Sequence, residues 1–191
     1  MEDAIEPRAF TAPFDSEDED ALIAEAAKTD AGAFAALYER YYPRVYRYVY
    51  HRVGSVVDAE DISALVFMKT LEGLSGYRSR GNSFAPWLFR ITRNAVVDHY
   101  RKSRNHSDIS DLDHHSPHGD PVSHVLGNES VEELRLLVSH LSSEQREVIL
   151  LRYAADLSFP EIAAILGKNE PAIRMLLHRG LRKLKTVMND G

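Results

Sequence analysis

From Leu141 to Lys185 the chain reads LSSEQREVILLRYAADLSFPEIAAILGKNEPAIRMLLHRGLRKLK, and its punctuation leaves little freedom in how it folds. Ser158-Phe159-Pro160-Glu161 is a capping box, in which a hydroxyl and a carboxylate each accept from the other residue's amide. Pro160 sits in the first turn, where a missing N–H costs nothing. Ile162, Ala163, Ile165 and Leu166 form a short apolar face, and Gly167 suits a left-handed helix end. Asn169 is placed to cap the next helix, with Pro171 again in a first turn. That helix directs Ile173, Leu176, Leu177, Leu181 and Leu184 toward a core. Arg174, His178, Arg179, Arg182, Lys183 and Lys185 are left for its other faces. The pattern predicts a helix-turn-helix whose second helix is cationic, a shape suited to the major groove of DNA.

The net charge of −6 argues against nucleic acid only as a single number. Residues 77–105 carry seven Arg/Lys against Asp98 alone, and residues 174–185 carry five with no acid. Residues 1–30 hold ten acids, and residues 106–133 hold seven with no Arg or Lys. Screening confines charge effects to ~8 Å at physiological salt, so each basic segment can still attract phosphates. With no cysteine, disulfides and thiolate chemistry are excluded, which fits a reducing cytoplasm. No apolar run approaches the ~20 residues that span a bilayer, and the acidic N-terminus has no signal-peptide core. No phosphate loop, nucleophile elbow or paired catalytic acids are present, so no catalytic residue and no cofactor is expected.

The expected fold is all-α, in two helical domains. Residues 1–16 are acidic and without period, and predict a disordered N-terminus. Residues 17–105 form the first domain. Its helices are expected over 17–29 and over 31–53 (Phe34, Leu37, Tyr41, Val45, Tyr48 and Val49 inward, with Pro43 a source of a kink). A third runs from Asp58 to Leu74 with Ile62, Leu65, Val66, Leu71 and Leu74 as core, and a fourth over 84–104 with Trp87, Leu88, Ile91, Ala95 and Val96 inward. Residues 106–128 are a polar Asp/His/Ser/Pro linker. Residues 129–191 form the second domain. His106, His114, His115, His118 and His124 lie in the linker among aspartates, but their spacing fits no ordered metal site; they read as solvated groups that charge near pH 6.

Taken together, the segments resemble a bacterial sigma factor of the extracytoplasmic-function group. AFAALYERYYPRVYRYVYHRVG resembles the first segment of the sigma-two domain. DAEDISALVFMKTLEGL resembles the helix that docks on the clamp helices of the beta-prime subunit of RNA polymerase. YRSRGNSFAPWLFRITRNAVVDHYRKSRN resembles the segment that melts and reads the minus-ten promoter element, and the C-terminal half resembles the sigma-four domain that reads minus-thirty-five.

The resemblance implies a transcription initiation factor, with Asp58, Asp61, Ile62, Leu65 and Lys69 toward core polymerase. It implies Arg78, Arg80, Asn82, Ser83, Phe84 and Trp87 toward the opened minus-ten strand, with Arg90, Arg93, Asn94 and Arg101 beyond them along the helix. A reader of single-stranded DNA needs such cations for the backbone and planar groups for unstacked bases; a lone Trp at helical spacing is nonetheless more often core. Lys168, Asn169, Arg174, His178, Arg179, Arg182 and Lys183 are implied toward minus-thirty-five. An anti-sigma partner is a further implication, and membrane insertion is not. Three positions depart from the family pattern: Leu65 stands for the usual glutamate, Lys168 for an apolar turn residue, and Leu176 for a frequent Arg. The alternative is a helix-turn-helix regulator that acts without core polymerase. A recombinase would call for a catalytic serine with an arginine cluster near the N-terminus, and a pure protein-interaction module would show no DNA effect from losing Arg174 and Arg179.

Overall fold

The computed structural model describes residues 17–79, 83–107 and 140–189, and among these the only regular structure is helical. The expected N-terminal disorder, the linker with its histidines, Arg80 and Asn82 lie outside the residues whose side chains are described. Four helices make the first half: α1 (Glu17–Ala26), α2 (Ala31–Val53), α3 (Val56–Gly73) and α4 (Phe84–Ser107), with a single 3₁₀ turn (Leu74–Gly76) after α3. Three make the second: α5 (Ser143–Tyr153), α6 (Phe159–Leu166) and α7 (Glu170–Asn189).

Local chemistry sets the boundaries. Asp30 accepts from the Gly32 amide at 2.8 Å to start α2, and Gly54, at φ 78°, closes it in the left-handed conformation. The helix runs through Pro43 without interruption. Ser55 accepts from the Asp58 amide to start α3. The Ser158–Glu161 box is formed as the sequence requires, with bonds of 3.3 and 2.8 Å, and Gly167 ends α6 at φ 63°. A second box, Ser142 with Gln145, starts α5.

α2, α3 and α4 pack around Leu37, Tyr41, Val45, Tyr48, Ile62, Val66, Leu88 and Phe89, all buried. α1 lies close on this bundle through Ala21, Ala24 and Ala27, and its buried Asp20 is held by Arg40 and the Tyr41 hydroxyl. Tyr38, Tyr42, Tyr46 and Tyr50 recur every four residues along α2 and pile into a ladder with centroids 5.1, 6.1 and 6.1 Å apart. The second half centres on Val148, Leu151, Leu157, Ile162 and Ile173. There α7 approaches α5 at Gly180, where a Cβ would stand 2.9 Å from the Ile149 Cδ1.

Three expected core positions are corrected. Leu65 and Leu71 on α3 and Leu181 on α7 face outward. Ile62, expected toward polymerase, is in the core. α3 is apolar around most of its circumference, so periodicity alone did not say which apolar row turns inward.

Candidate nucleic-acid interface

α6, the Gly167 turn and α7 form the helix-turn-helix. Ile173 and Leu177 root α7 in the core, and Leu176 is half-buried against it. Leucine at 176 is therefore a packing residue. Arg174, His178, Arg179, Arg182 and Lys183 are all exposed on α7. Asn169 caps the helix, its Oδ1 accepting from the Ala172 amide at 2.9 Å, so its side chain is engaged at home. Lys168 reaches back to Glu144 at 2.8 Å.

The first half places its expected nucleic-acid residues unevenly. Arg78 is exposed and donates to the Ser75 and Tyr77 carbonyls at 3.0 Å. Phe84 is 0% exposed, wedged between Tyr41 and Tyr77 at 5.4 and 5.5 Å between centroids. It offers no face to a base in this arrangement, a correction to the expectation from its position. Trp87 is half-buried, packed against Tyr77 at 5.1 Å and Phe84 at 5.5 Å and lying over Gly73. Asn94 and Arg101 are exposed, Arg101 pairing with Asp98 at 3.0 Å.

Ser83, Arg90 and Arg93 are held by the other half. Ser83 donates to Glu161 Oε1 at 2.8 Å, Arg90 donates to the Ala164 carbonyl at 2.5 Å, and Arg93 Nε donates to Glu147 Oε1 at 2.7 Å. Glu147 is 7% exposed and also accepts from the Tyr48 hydroxyl at 2.7 Å and from Arg52 at 2.5 Å. Burial, followed by the nearby Glu147 charge, pushes the Tyr48 hydroxyl far above its usual range. Arg44 and Arg47 on α2 donate to the carbonyls of Ala154, Ala155 and Asp156 just past α5. Those carbonyls belong to the turn that follows α5, and the guanidinium N–H groups satisfy them.

Sequence reasoning missed this contact between the halves. Its one signal was Glu147 immediately before the apolar run Val148-Ile149-Leu150-Leu151, an acid with no local reason to be buried. The cleft beside it, about 260 Å³, is lined in part by Arg52, Arg93 and Lys168, but each of these already faces Glu147 or Glu144.

The residues expected toward polymerase share α3. Asp61 and Leu65 are exposed, Asp58 is half-exposed, and Lys69 stands 3.9 Å from Asp98. Around them runs an apolar row that is open to solvent: Val57, Leu65, Met68 and Leu71, with Met68 60% and Leu71 55% exposed. Leu65 thus extends an apolar surface where a glutamate is usual.

Residues 37–106 match the family model for Sigma-70 region 2, and residues 131–184 match the one for Sigma-70, region 4. The ECF RNA polymerase sigma factor SigD of Mycobacterium tuberculosis is 32% identical over 87% of this chain and 82% of its own length. The chain belongs to the ECF sigma factors. A second ECF sigma factor, BldN of Streptomyces coelicolor, is 36% identical over 88% of the chain, which spans 65% of BldN's length. In fold, the chain is similar to the solved structure of CnrH in complex with the cytosolic domain of CnrY: TM-score 0.70 at 22% identity, covering 90% of this chain and 97% of that one. No helix among the described residues is long and apolar enough to cross a membrane.

Proposed function

We propose that this sigma factor binds core RNA polymerase, directs it to promoters and helps to open them, with no catalytic step of its own. It works in the cytoplasm, where polymerase and chromosome meet. The observation that carries the reading is the ordered pair of region matches, each falling on a surface of suitable chemistry. α3 presents an unpaired apolar row flanked by Asp58, Asp61 and Lys69, the kind of surface that a protein partner covers. α7 presents exposed cations on a helix shaped for the major groove. The segment carrying Arg78, Arg80 and Asn82, with the half-buried Trp87 beside it, takes the minus-ten strand, and an anti-sigma factor holds the protein inactive until it is needed.

The two halves cannot keep their mutual contact on a promoter. Elements named minus-ten and minus-thirty-five lie about 25 base pairs apart, or roughly 85 Å at ~3.4 Å per pair. Ser83 and Glu161, one in each half, are within one hydrogen bond. The linker read from the sequence, residues 106–128, has a contour length of about 80 Å, a reach of the same order as that separation. The arrangement described is the closed form, and engagement of both elements requires it to open.

Run-off transcription with purified core polymerase on a randomised promoter library tests the function and yields the recognised sequence. Transcripts that start only when the chain is added support it. Tight binding of the chain alone to one duplex site, with no association with core polymerase, would give the regulator reading instead.

A further inference from the structure

The exposed cations of α7 are not equivalent. Arg174 is 59% exposed at its side chain, yet its guanidinium carbon sits 4.0 Å from the centroid of the Phe159 ring. One turn back along α7, Glu170 Oε2 lies 3.5 Å from its Nη2. Phe159 is itself fixed. It follows the Ser158 cap at the start of α6, packs half-buried against the core, and carries the Arg152 guanidinium 5.2 Å from the same ring. Arg152 in turn donates to the Leu157 carbonyl at 2.8 Å. Among the described residues, no other cation of α7 has an aromatic ring beneath it.

We infer that Phe159 is a positioning residue for promoter specificity: its ring and the Glu170 carboxylate hold the Arg174 fork in one plane, ready for a base edge in the minus-thirty-five element. The physical case is that an arginine side chain is long and loses considerable rotamer freedom when it is fixed. Bidentate recognition of a base requires the plane of the fork to be set. A weakly hydrated, planar guanidinium stacks on an aromatic face without losing its outward-pointing N–H groups. Phe159 lies on the first helix of the motif, so its contribution passes through Arg174 and needs no contact of its own with DNA.

This rests on the reading of α7 as the minus-thirty-five reader, and the experiment separates the two. Holoenzyme is assembled with core polymerase and the full chain. The probe is the promoter duplex that unaltered holoenzyme selects from a randomised library. Binding is measured with the minus-thirty-five element intact and scrambled, and the ratio of the two is the discrimination. Phe159→Leu keeps an apolar side chain but removes the π-face, and is expected to lower discrimination about two- to five-fold, the scale of one exposed cation–π contact. Phe159→Tyr is expected to retain it. In an Arg174→Ala background Phe159→Leu should change nothing further, because the group it positions is gone. Urea unfolding of each variant is measured in parallel, with Phe159→Met replacing Leu if the latter does not fold. If Arg174→Ala lowers discrimination but Phe159→Leu does not, or Phe159→Leu lowers it equally without Arg174, the positioning role is wrong and the reader assignment stands. If Arg174→Ala leaves discrimination unchanged, Arg174 does not read bases and the positioning role falls, while the reading of α7 then rests on Arg179 and Arg182.

Discussion

Tyr48 on α2 donates to Glu147 on α5 at 2.7 Å, across 99 positions of the chain. Arg52 and Arg93 close on the same carboxylate from α2 and α4, so one buried acid ties three side chains of the first half to the second. A buried carboxylate with three donors is worth little relative to an apolar replacement of the whole cluster, but removing the acid alone strands its partners.

Glu147→Ala should therefore loosen the closed form. The cost is expected at or below the lower end of the ~3–5 kcal/mol seen when one member of a buried pair is removed, because Arg52 and Arg93 keep some contact with water. Small-angle scattering should show a larger radius of gyration, with helix content by circular dichroism nearly unchanged. An unchanged radius would mean that the remaining contacts hold the halves together without it.

The same tyrosine predicts an alkaline limit. Burial beside Glu147 raises the Tyr48 hydroxyl, and burial beside Asp20 raises that of Tyr41. The folded chain then holds these protons more tightly than the unfolded chain, whose tyrosines ionise near pH ~10. Stability from this source is intact below that pH and falls above it, as the unfolded state sheds protons first. Tyr48→Phe and Tyr41→Phe should each flatten the decline, read from urea midpoints between neutral pH and pH 11. Each should also cost about 1.5–3 kcal/mol at neutral pH for the lost hydrogen bond to a carboxylate.

On α3 one row of apolar residues is buried in the core and another is exposed. Met68→Glu and Leu71→Lys alter exposed side chains, so they should leave thermal stability nearly unchanged while weakening association with core polymerase tenfold or more, about 1.4 kcal/mol. Ile62→Ala is the contrast: it empties core space and should cost ~2–5 kcal/mol of stability. Full polymerase affinity in both surface variants would move the docking surface elsewhere.

These rows also mark the limit of what the sequence disclosed. Helix ends were legible where their chemistry is local: Ser158, Glu161 and Gly167 bracket α6 and Asn169 caps α7, as capping alone requires. The inward face of α3 was not legible, because Ile62 and Leu65 are both apolar and only packing separates them. Phe84 looked available to a base from its loop-edge position, yet Tyr41, far away in sequence, covers it. The close approach at Gly180, where Ile149 lies 2.9 Å from where a Cβ would be, had no local signal. The contact between halves was hidden for the same reason: a pairing such as Ser83 with Glu161 has no local signature.

Arg179 and Arg182 are exposed on α7 without the aromatic support that Arg174 has. Arginines of this kind are expected on phosphates. Each change to Ala should weaken promoter binding by holoenzyme about equally on intact and scrambled minus-thirty-five elements, and should reduce the slope of log affinity against log salt by about 1. A loss confined to the intact element would reassign the residue to base reading.

The closed form can be trapped, because the chain has no cysteine of its own. Ser83→Cys with Glu161→Cys places two thiols on side chains that now share a 2.8 Å hydrogen bond, and a short bis-maleimide can join them. The joined protein keeps α6 against the start of α4. It cannot set the two halves roughly 85 Å apart on promoter DNA. Run-off transcription from the selected promoter should fall to background after crosslinking. The same double variant left unjoined should still transcribe, at a level lowered by the loss of the Ser83–Glu161 bond and of the Glu161 half of the α6 capping box, so the joined and unjoined forms of this one variant are compared. A promoter carrying a minus-ten element alone should stay silent with the joined protein too, because Ser83 and its neighbours remain covered by α6. Transcription at the normal level from crosslinked protein would show that both elements are read without separation of the halves, and that the arrangement is not a closed form at all.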